Sequence, residues 1–217
     1  MIKNISRAGY SRILHTIIII FIFILVLSPT LASGTPGDID PWLTFLGGTG
    51  DDDGRGIAVD NAGNIYITGT STSTWGSPIR AYKSNNEAFV AKIDSIGALQ
   101  WITFLGGSNS DFPGFDSIAL DASGNIYVTG TSDSTWGSPV RAYTADRDAF
   151  VAKINSNGVL QWNTFLGDIG IDWGYGIALD GNGNVFVEGY SNSTWGSPVR
   201  AYASGEDTFT AKLDSNA

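Results

Sequence analysis

The chain has 217 residues, with 12 lysines and arginines against 21 aspartates and glutamates, and it contains no cysteine. Its net charge of −9 argues against nucleic acid and anionic membranes as partners, because both are negatively charged themselves. The lack of cysteine excludes disulfides, thiol nucleophiles and a lipid-modified N-terminal cysteine, so stability has to come from packing.

The N-terminal region has the three parts of a secretory signal peptide. A positively charged start is followed by an apolar run over residues 17–27 and by small residues before Ser33. An uncleaved membrane anchor is the alternative, but this run is much shorter than the roughly 20 residues of a spanning helix. We therefore expect residues 1–32 to be removed and residues 33–41 to form a linker. The mature chain would be secreted or held at the cell surface, without membrane insertion.

Self-similarity dominates residues 42–217, which consist of three copies of a unit of about 60 residues. Each copy opens on Trp-x-Thr-Phe-Leu-Gly, has a Gly-Asn pair in its first half and later carries Thr-Trp-Gly-Ser-Pro. Because the copies account for the whole segment, we treat it as one repeat domain. The units cover approximately residues 42–100, 101–161 and 162–217.

Each unit is predicted to contain four short strands. In the first copy these are Gly56 to Asp60, Asn64 to Thr68, Ala88 to Ile93 and Leu99 to Leu105. Glycine-containing tight turns join the first strand to the second and the third to the fourth. No segment after the signal peptide has the 3.6-residue period of an amphipathic helix. The mature protein is therefore expected to be all-β.

Large apolar side chains lie on both faces of the second and fourth predicted strands. A sheet exposed on one face would alternate between apolar and polar residues. Sheets buried on both faces, repeated about every 60 residues, are typical of propeller blades packed face to face. The sequence thus predicts a β-propeller-like fold with three four-stranded blades. A β-solenoid is the alternative, but its coils are usually about 20–30 residues long.

Three segments resemble the SBBP-type β-propeller repeat. They are Trp-x-Thr-Phe-Leu-Gly-Gly at 42–48, Gly-Ile-Ala-Val-Asp-x-x-Gly-Asn-Ile-Tyr-Ile-Thr-Gly at 56–69 and Ala-Phe-Val-Ala-Lys-Ile at 88–93. This family occurs in secreted and surface proteins of bacteria and archaea. The resemblance implies a propeller fold and an exported location, and it supplies no catalytic residues to carry over.

The phase of the repeats predicts how the domain could close. Trp42 to Leu46 matches a fourth strand, and Thr208 to Leu213 matches a third strand, so pairing of the two would complete one blade. Three arrangements follow: a compact three-blade ring, a homodimer forming one six-blade ring, or a piece of a longer array. An unclosed monomer is the least favoured, because it would leave bare strand edges and apolar faces.

Catalytic chemistry finds little support in the sequence. The single histidine, His15, lies in the predicted signal peptide, which excludes histidine triads and histidine metal sites from the mature chain. Glycoside hydrolysis needs two acids about 5–9 Å apart, and no such pair stands out. We therefore expect a non-catalytic binding or scaffold module with a protein or glycan partner and no cofactor. The alternatives are a carboxylate-dependent carbohydrate-active enzyme and a purely structural envelope component.

The long link between the second and third strands is the candidate ligand-binding segment. Its tryptophans could stack on sugars or on a partner, although their identical repetition favours a packing role. The tips that follow, at 83–87, 144–148 and 203–207, vary between copies and are where specificity would be expected. The candidate ligand-binding residues are Trp75, Trp136, Trp195, Arg80, Arg141 and Arg200.

Calcium is considered for the aspartates that follow each Leu-Gly segment, namely Asp52, Asp111 and Asp172. Calcium takes six to eight oxygen ligands, and one aspartate per loop supplies few of them. Hydrogen bonding of each aspartate to its own turn is the favoured interpretation. The same turn-forming role is expected for Asp60, Asp121 and Asp180.

Overall fold

The computed structural model describes residues 42–83 and 85–216, and every regular element in them is a β-strand. The predicted signal peptide and linker lie outside this range. No helix with the length and apolar character of a membrane span occurs within it. The strands are β1 (Asp52–Val59), β2 (Ile65–Ser71), β3 (Glu87–Ile93), β4 (Leu99–Leu105), β5 (Asp111–Leu120), β6 (Ile126–Ser132), β7 (Asp148–Ile154), β8 (Leu160–Leu166), β9 (Asp172–Leu179), β10 (Val185–Ser191) and β11 (Asp207–Leu213).

The strands form antiparallel meanders, which we call blades 1, 2 and 3. Blade 1 contains β1 to β4, blade 2 contains β5 to β8, and blade 3 contains β9 to β11. The first strands of the blades adjoin, since β1 packs on β5 and β5 forms a parallel bridge to β9 at Asp116 and Gly176. The predicted all-β, propeller-like architecture is confirmed. Blades 1 and 2 have the predicted four strands, and within the described residues blade 3 has three, in agreement with the match of Thr208 to Leu213 to a third strand.

The predicted strand boundaries differ from the observed ones at the start of each unit. β1 begins at Asp52 instead of Gly56, because Asp52 to Gly54 already pair with Gly69 to Ser71 of β2. Residues 52–55, which precede the predicted start, are polar or glycine, so a hydrophobicity pattern did not reveal this part of the strand. The beginning of β1 is therefore set by its pairing with β2 and not by the β-propensity of its own side chains.

The segment Trp42 to Leu46, predicted as a fourth strand, is not part of any sheet. In the complete blades the fourth strand pairs with the third strand, as Phe104 does with Phe89. In the part of the chain that the structure describes, no third strand lies beside residues 42–46, and β11 pairs with β10 alone. The expected strand is therefore absent because its partner strand is absent from that side.

The first hairpin of each blade is closed by an aspartate. Asp60 Oδ1 accepts hydrogen bonds from the backbone N–H groups of Ala62 and Asn64, both at 2.9 Å. Gly63 takes a φ of +79°, a conformation that costs glycine little. The carboxylate thereby accepts hydrogen bonds from the backbone of its own turn, as predicted. The equivalent aspartates Asp121 and Asp180 make the same pair of contacts.

The fourth strands contribute to two apolar cores at once. Ile102 and Phe104 are fully buried against Trp75 of their own blade. Leu105, on the opposite face of β4, belongs to the core of blade 2 together with Ile126. Each complete blade therefore uses its last strand both to finish its own core and to cover the next blade.

Candidate functional site

The repeated tryptophans of the candidate ligand-binding segment lie in the blade cores. Trp75 and Trp136 are only 6% and 4% exposed. Their rings meet Phe89 and Phe150 edge-on, with centroids 5.2 and 5.3 Å apart. These contacts support the packing role. Trp195 meets Phe209 in the same way at 5.1 Å, but it remains half-buried.

The repeated arginines bind the fourth strand of their own blade. Arg80 Nη1 donates to the carbonyl oxygen of Phe104 at 2.9 Å, and Nη2 donates to that of Gly106. Arg141 repeats both contacts on Phe165 and Gly167. Blade 3 has no fourth strand, and no hydrogen bond of the Arg200 side chain occurs within the described residues.

The aspartates considered for calcium hydrogen-bond to the Leu-Gly turns that precede them. Asp52 accepts from the N–H of Gly48 at 2.8 Å, and Asp111 accepts from that of Gly107 at 2.9 Å. Asp172 accepts from the N–H of Asp168 at 3.3 Å. Among residues 42–83 and 85–216, no group of three or more acidic, histidine or cysteine side chains could hold a metal ion.

A second acidic side chain accompanies two of these aspartates. Glu87 and Asp111 both lie against Gly106, where an added Cβ would be 2.8 Å from Glu87 Cγ and 2.3 Å from Asp111 Oδ2. Asp148 and Asp172 lie against Gly167 in the same way. The sequence analysis missed these pairs. Their signal was the acid that starts every third strand, at Glu87, Asp148 and Asp207.

Burial is the main reason that the pKa of these carboxyls is raised. It raises the pKa of Asp111 to about 7, and the nearby Glu87 adds to the shift, while hydrogen bonds from Ser132 and Gly107 oppose it. Burial likewise raises the pKa of Asp148 to about 6, with a smaller contribution from Asp172. All four acids are fully buried, so a bulky substrate such as a sugar cannot reach them.

A different group of side chains departs from the repeat and lines the first strands of the blades. Phe112 and Trp173 follow the repeated aspartate directly, where copy one has Asp53. Their rings are stacked, with centroids 6.5 Å apart and an interplanar angle of 22°. Tyr190, from the neighbouring strand β10, is also stacked with Trp173, at 6.3 Å and 18°. Three aromatic rings from two blades thus form one row, which we call the inner aromatic row.

Two arginines flank the inner aromatic row. The guanidinium of Arg147 lies 4.9 Å from the centroid of the Trp173 ring. Asp133 holds it there through a hydrogen bond of 2.8 Å, and this bond raises the pKa of Arg147 further. Arg55 lies 5.6 Å from the rings of both Phe112 and Phe115. Cation–π contacts of this kind orient the charges along the aromatic faces.

An open cleft of about 480 Å³ lies where the three first strands meet. Arg55 and Phe115 line it, together with Ile177 from blade 3. Phe115 is 67% exposed and offers an uncovered ring. It lies in a segment of copy two that is two residues longer than in the other copies. That insertion and the non-repeated aromatic residues were the sequence signals of this site, and the sequence analysis did not use them.

Comparison with known proteins agrees with the fold. A family model described as SBBP, beta-propeller repeat, matches residues 42–74, 100–135 and 161–194. The chain is also 27% identical to an uncharacterized WD repeat-containing protein of Acanthamoeba polyphaga mimivirus, over 70% of this chain and 13% of that protein. The chain thus spans a small fraction of this relative. The repeats and the observed blades together identify the chain as an SBBP-type β-propeller repeat protein.

Proposed function

We propose that the protein is a secreted or cell-surface, non-catalytic binding module that holds its ligand at the inner aromatic row and the adjoining cleft. The observation that supports this proposal is a contrast between two classes of aromatic residue. The tryptophans that repeat, such as Trp75, are buried in the blades. Those that do not repeat line the first strands, where Phe115 is exposed. A site that differs from the scaffold's own pattern is where recognition is expected.

The chemistry of this site suits a protein or glycan partner. An exposed ring next to a guanidinium offers a flat apolar surface with polar donors at its edge. Such a surface stacks against the apolar face of a sugar or against an aromatic side chain of a protein. The mimivirus relative is described as a WD repeat-containing protein, and repeat propellers of that kind are also scaffolds for binding.

The burial of the acidic pairs supports a non-catalytic role. General acid–base catalysis requires a carboxyl within hydrogen-bond reach of the substrate. Asp111 and Asp148 have raised pKa values but are fully enclosed, which fits a structural role better than glycoside hydrolysis. A purely structural envelope component remains the second candidate, and it would show no saturable ligand.

Binding is tested with arrays of microbial polysaccharides and of random peptides, probed with the purified chain. Phe115→Ala is the test variant. Phe186→Ala is its control, because Phe186 also lies below a cation, Lys212, but belongs to the hairpin of β10 and β11. We expect Phe115→Ala to weaken binding to the array ligands at least tenfold. Phe186→Ala should leave this binding unchanged. Equal effects of the two variants, or no saturable hit, would refute the proposed site.

Export is tested separately from binding. The full chain is expressed in a bacterium with an intact secretion pathway, and its N-terminus is sequenced. We expect extracellular or surface-attached protein that starts at Ser33. A chain that stays inside the cell with its original N-terminus would contradict the proposed location while leaving the binding site untouched.

A further inference from the structure

Blade 3 contains an open groove of about 790 Å³ along the outer edge of β11. One wall is β11 itself, with Phe209 and Ala211. The other wall is the link before it, with Val199 and Arg200. Trp195 lies at the floor and is half-buried, although its counterparts in blades 1 and 2 are buried.

In the complete blades this space is filled by the fourth strand. β4 pairs with β3 on one side, with Phe104 opposite Phe89. On its other side the N–H of Ile79 donates to the carbonyl oxygen of Ile102 at 2.9 Å, and the N–H of Phe104 donates to that of Arg80 at 3.2 Å. Blade 2 repeats this arrangement around β8 with distances of 2.9 and 3.2 Å. The groove in blade 3 therefore has the two backbone edges that receive one β-strand.

The side chains that would surround such a strand are also present. Phe104 meets Tyr82 at 5.4 Å, and Phe165 meets Tyr143 at 5.5 Å. Tyr202 is the corresponding residue of blade 3 and lines the groove. Arg200 corresponds to the arginines that bind the fourth strand of blades 1 and 2. The groove thus has every element of the acceptor site except the strand.

Residues 42–46 have the properties of the matching donor. Trp42 Nε1 donates to the carbonyl oxygen of Ser95 at 3.2 Å, as Trp101 does to Ser156 at 3.2 Å. Leu46 packs on the core of blade 1. The segment therefore covers blade 1 as a fourth strand covers the blade after it. Its other side is uncovered, since Leu43 and Phe45 are 80% and 90% exposed.

We propose that residues 42–46 of a second copy of the chain fill the groove of blade 3, and that two copies exchange these strands reciprocally. In the register of the complete blades, Phe45 lies opposite Phe209 and Leu43 opposite Ala211. Leu43 and Phe45 then occupy the places of Ile102 and Phe104, both fully buried in blade 1.

A second copy is favoured over the chain's own segment for two reasons. The chain's own Leu43 and Phe45 are exposed and do not occupy the groove of blade 3 in the same chain. Closed propellers usually have four to eight blades, and two copies of the three described blades supply six. The exchange also brings Asp207 next to Asp52, which completes a third acidic pair like that of Asp148 and Asp172.

The test measures the mass of the purified chain by light scattering after size exclusion. Phe45→Asp disables the donor segment, because it places a charge in the apolar groove. Val199→Pro disables the acceptor, because it removes the N–H that would bond to Leu43. Ile169→Asp is the control, since Ile169 is 72% exposed and lies outside both elements.

We expect two chains per particle for the unmodified protein and for Ile169→Asp, and one chain for either test variant. Mixing the two test variants should restore particles with one chain of each, since one donor and one acceptor remain intact. An unmodified monomer, or test variants that keep the original mass, would overturn the proposal. Open-ended growth would overturn the closed pair.

A second measurement does not depend on the folding of any variant. A synthetic peptide of residues 42–48, added in excess to the unmodified protein, should compete for the groove and halve the particle mass. The same peptide with aspartate in place of Phe45 is the control and should have no effect. If both peptides leave the mass unchanged, strand exchange is not what joins the copies.

Discussion

Asp148 and Asp172 belong to neighbouring blades, yet both carboxylates lie against Gly167, where an added Cβ would be 2.9 Å from one and 2.4 Å from the other. Both side chains are fully buried, and the Oδ1 atom of each lacks a hydrogen-bond partner. Glu87 and Asp111 have the same relationship at Gly106. Two buried acids side by side favour the protonated form, because ionisation of both would place like charges in a low-dielectric site.

The first prediction is that the protein loses stability as the pH rises from about 4 to about 7. Burial raises the pKa of Asp111 from 3.8 to about 7 and that of Asp148 to about 6. The folded state therefore holds these protons more tightly than the unfolded state, and the stabilisation is complete only below the unfolded pKa. For Asp111 the full shift corresponds to roughly 4 kcal/mol, lost as the pH passes through its folded pKa. Urea unfolding at several pH values measures the change.

Two asparagine variants identify the source of this pH dependence. Asp111→Asn keeps the size of the side chain, and its amide oxygen can still accept from the N–H of Gly107, but it cannot ionise, so the slope between pH 4 and 7 should become shallower. Asp121→Asn is the control, because hydrogen bonds from Asn125 lower the pKa of Asp121 against the effect of burial. Folding favours the charged form of Asp121. Its contribution to stability is therefore lost only as the pH falls below the usual pKa of an aspartate, 3.8. An unchanged slope in Asp111→Asn would contradict the assignment.

The repeat made most of the fold predictable from sequence. The spacing of Trp42, Trp101 and Trp162 gives the unit length, and apolar residues on both faces of the second and fourth predicted strands predict blades. The aspartate turns were predicted because their hydrogen bonds are local to four or five residues. The start of β1 was not predicted, since Asp52 is held in the strand by its pairing with Ser71 and not by its own propensity.

The candidate site was less predictable, for a related reason. A repeated residue such as Trp75 attracts attention because it recurs, but recurrence in a propeller marks the contacts that every blade needs. Trp173 and Tyr190 occur in one copy each, so no periodicity reveals that they stack. The acidic pairs also depend on contacts between blades, which a sequence does not show.

A second prediction concerns the glycines of β2, β6 and β10 that each lie against a phenylalanine ring of the next strand. A Cβ added at Gly130 would lie 2.2 Å from the carbonyl oxygen of Phe112 and 2.8 Å from the Phe150 ring. The neighbouring atom is backbone and cannot move aside cheaply. We expect Gly130→Ala to lower the free energy of unfolding by about 3 kcal/mol, measured by urea denaturation.

Gly181→Ala is the matched control for Gly130→Ala. Nothing lies within 4 Å of a Cβ at Gly181. The first two copies carry Asn61 and Ala122 at the equivalent turn position, so the backbone there accepts a side chain. This variant should be neutral or more stable by about 0.5 kcal/mol, because alanine reduces the entropy of the unfolded chain. A Gly130→Ala protein as stable as Gly181→Ala would contradict the close approach at β6.

The last prediction uses the unequal surroundings of two equivalent tryptophans. Trp136 is enclosed by Phe150 at 5.3 Å, Phe165 at 6.1 Å and the guanidinium of Arg80 at 5.5 Å. Trp195 keeps the contact to Phe209, but no fourth strand covers it. Replacement of Trp136 by alanine should cost about 3–5 kcal/mol, as for a buried tryptophan. Replacement of Trp195 should cost clearly less wherever the groove is open.

The donor segment, residues 42–46, provides a control for the comparison of Trp136→Ala with Trp195→Ala. It is made by urea unfolding in the Phe45→Asp background, which leaves the groove of blade 3 empty, and again in the unmodified chain. In the empty-groove background Trp136→Ala should be more destabilising than Trp195→Ala. In the unmodified chain the two costs should converge, because a strand from the second copy would bury Trp195 as β8 buries Trp136. If the Trp195→Ala cost is the same in both backgrounds, the groove is not filled by residues 42–46.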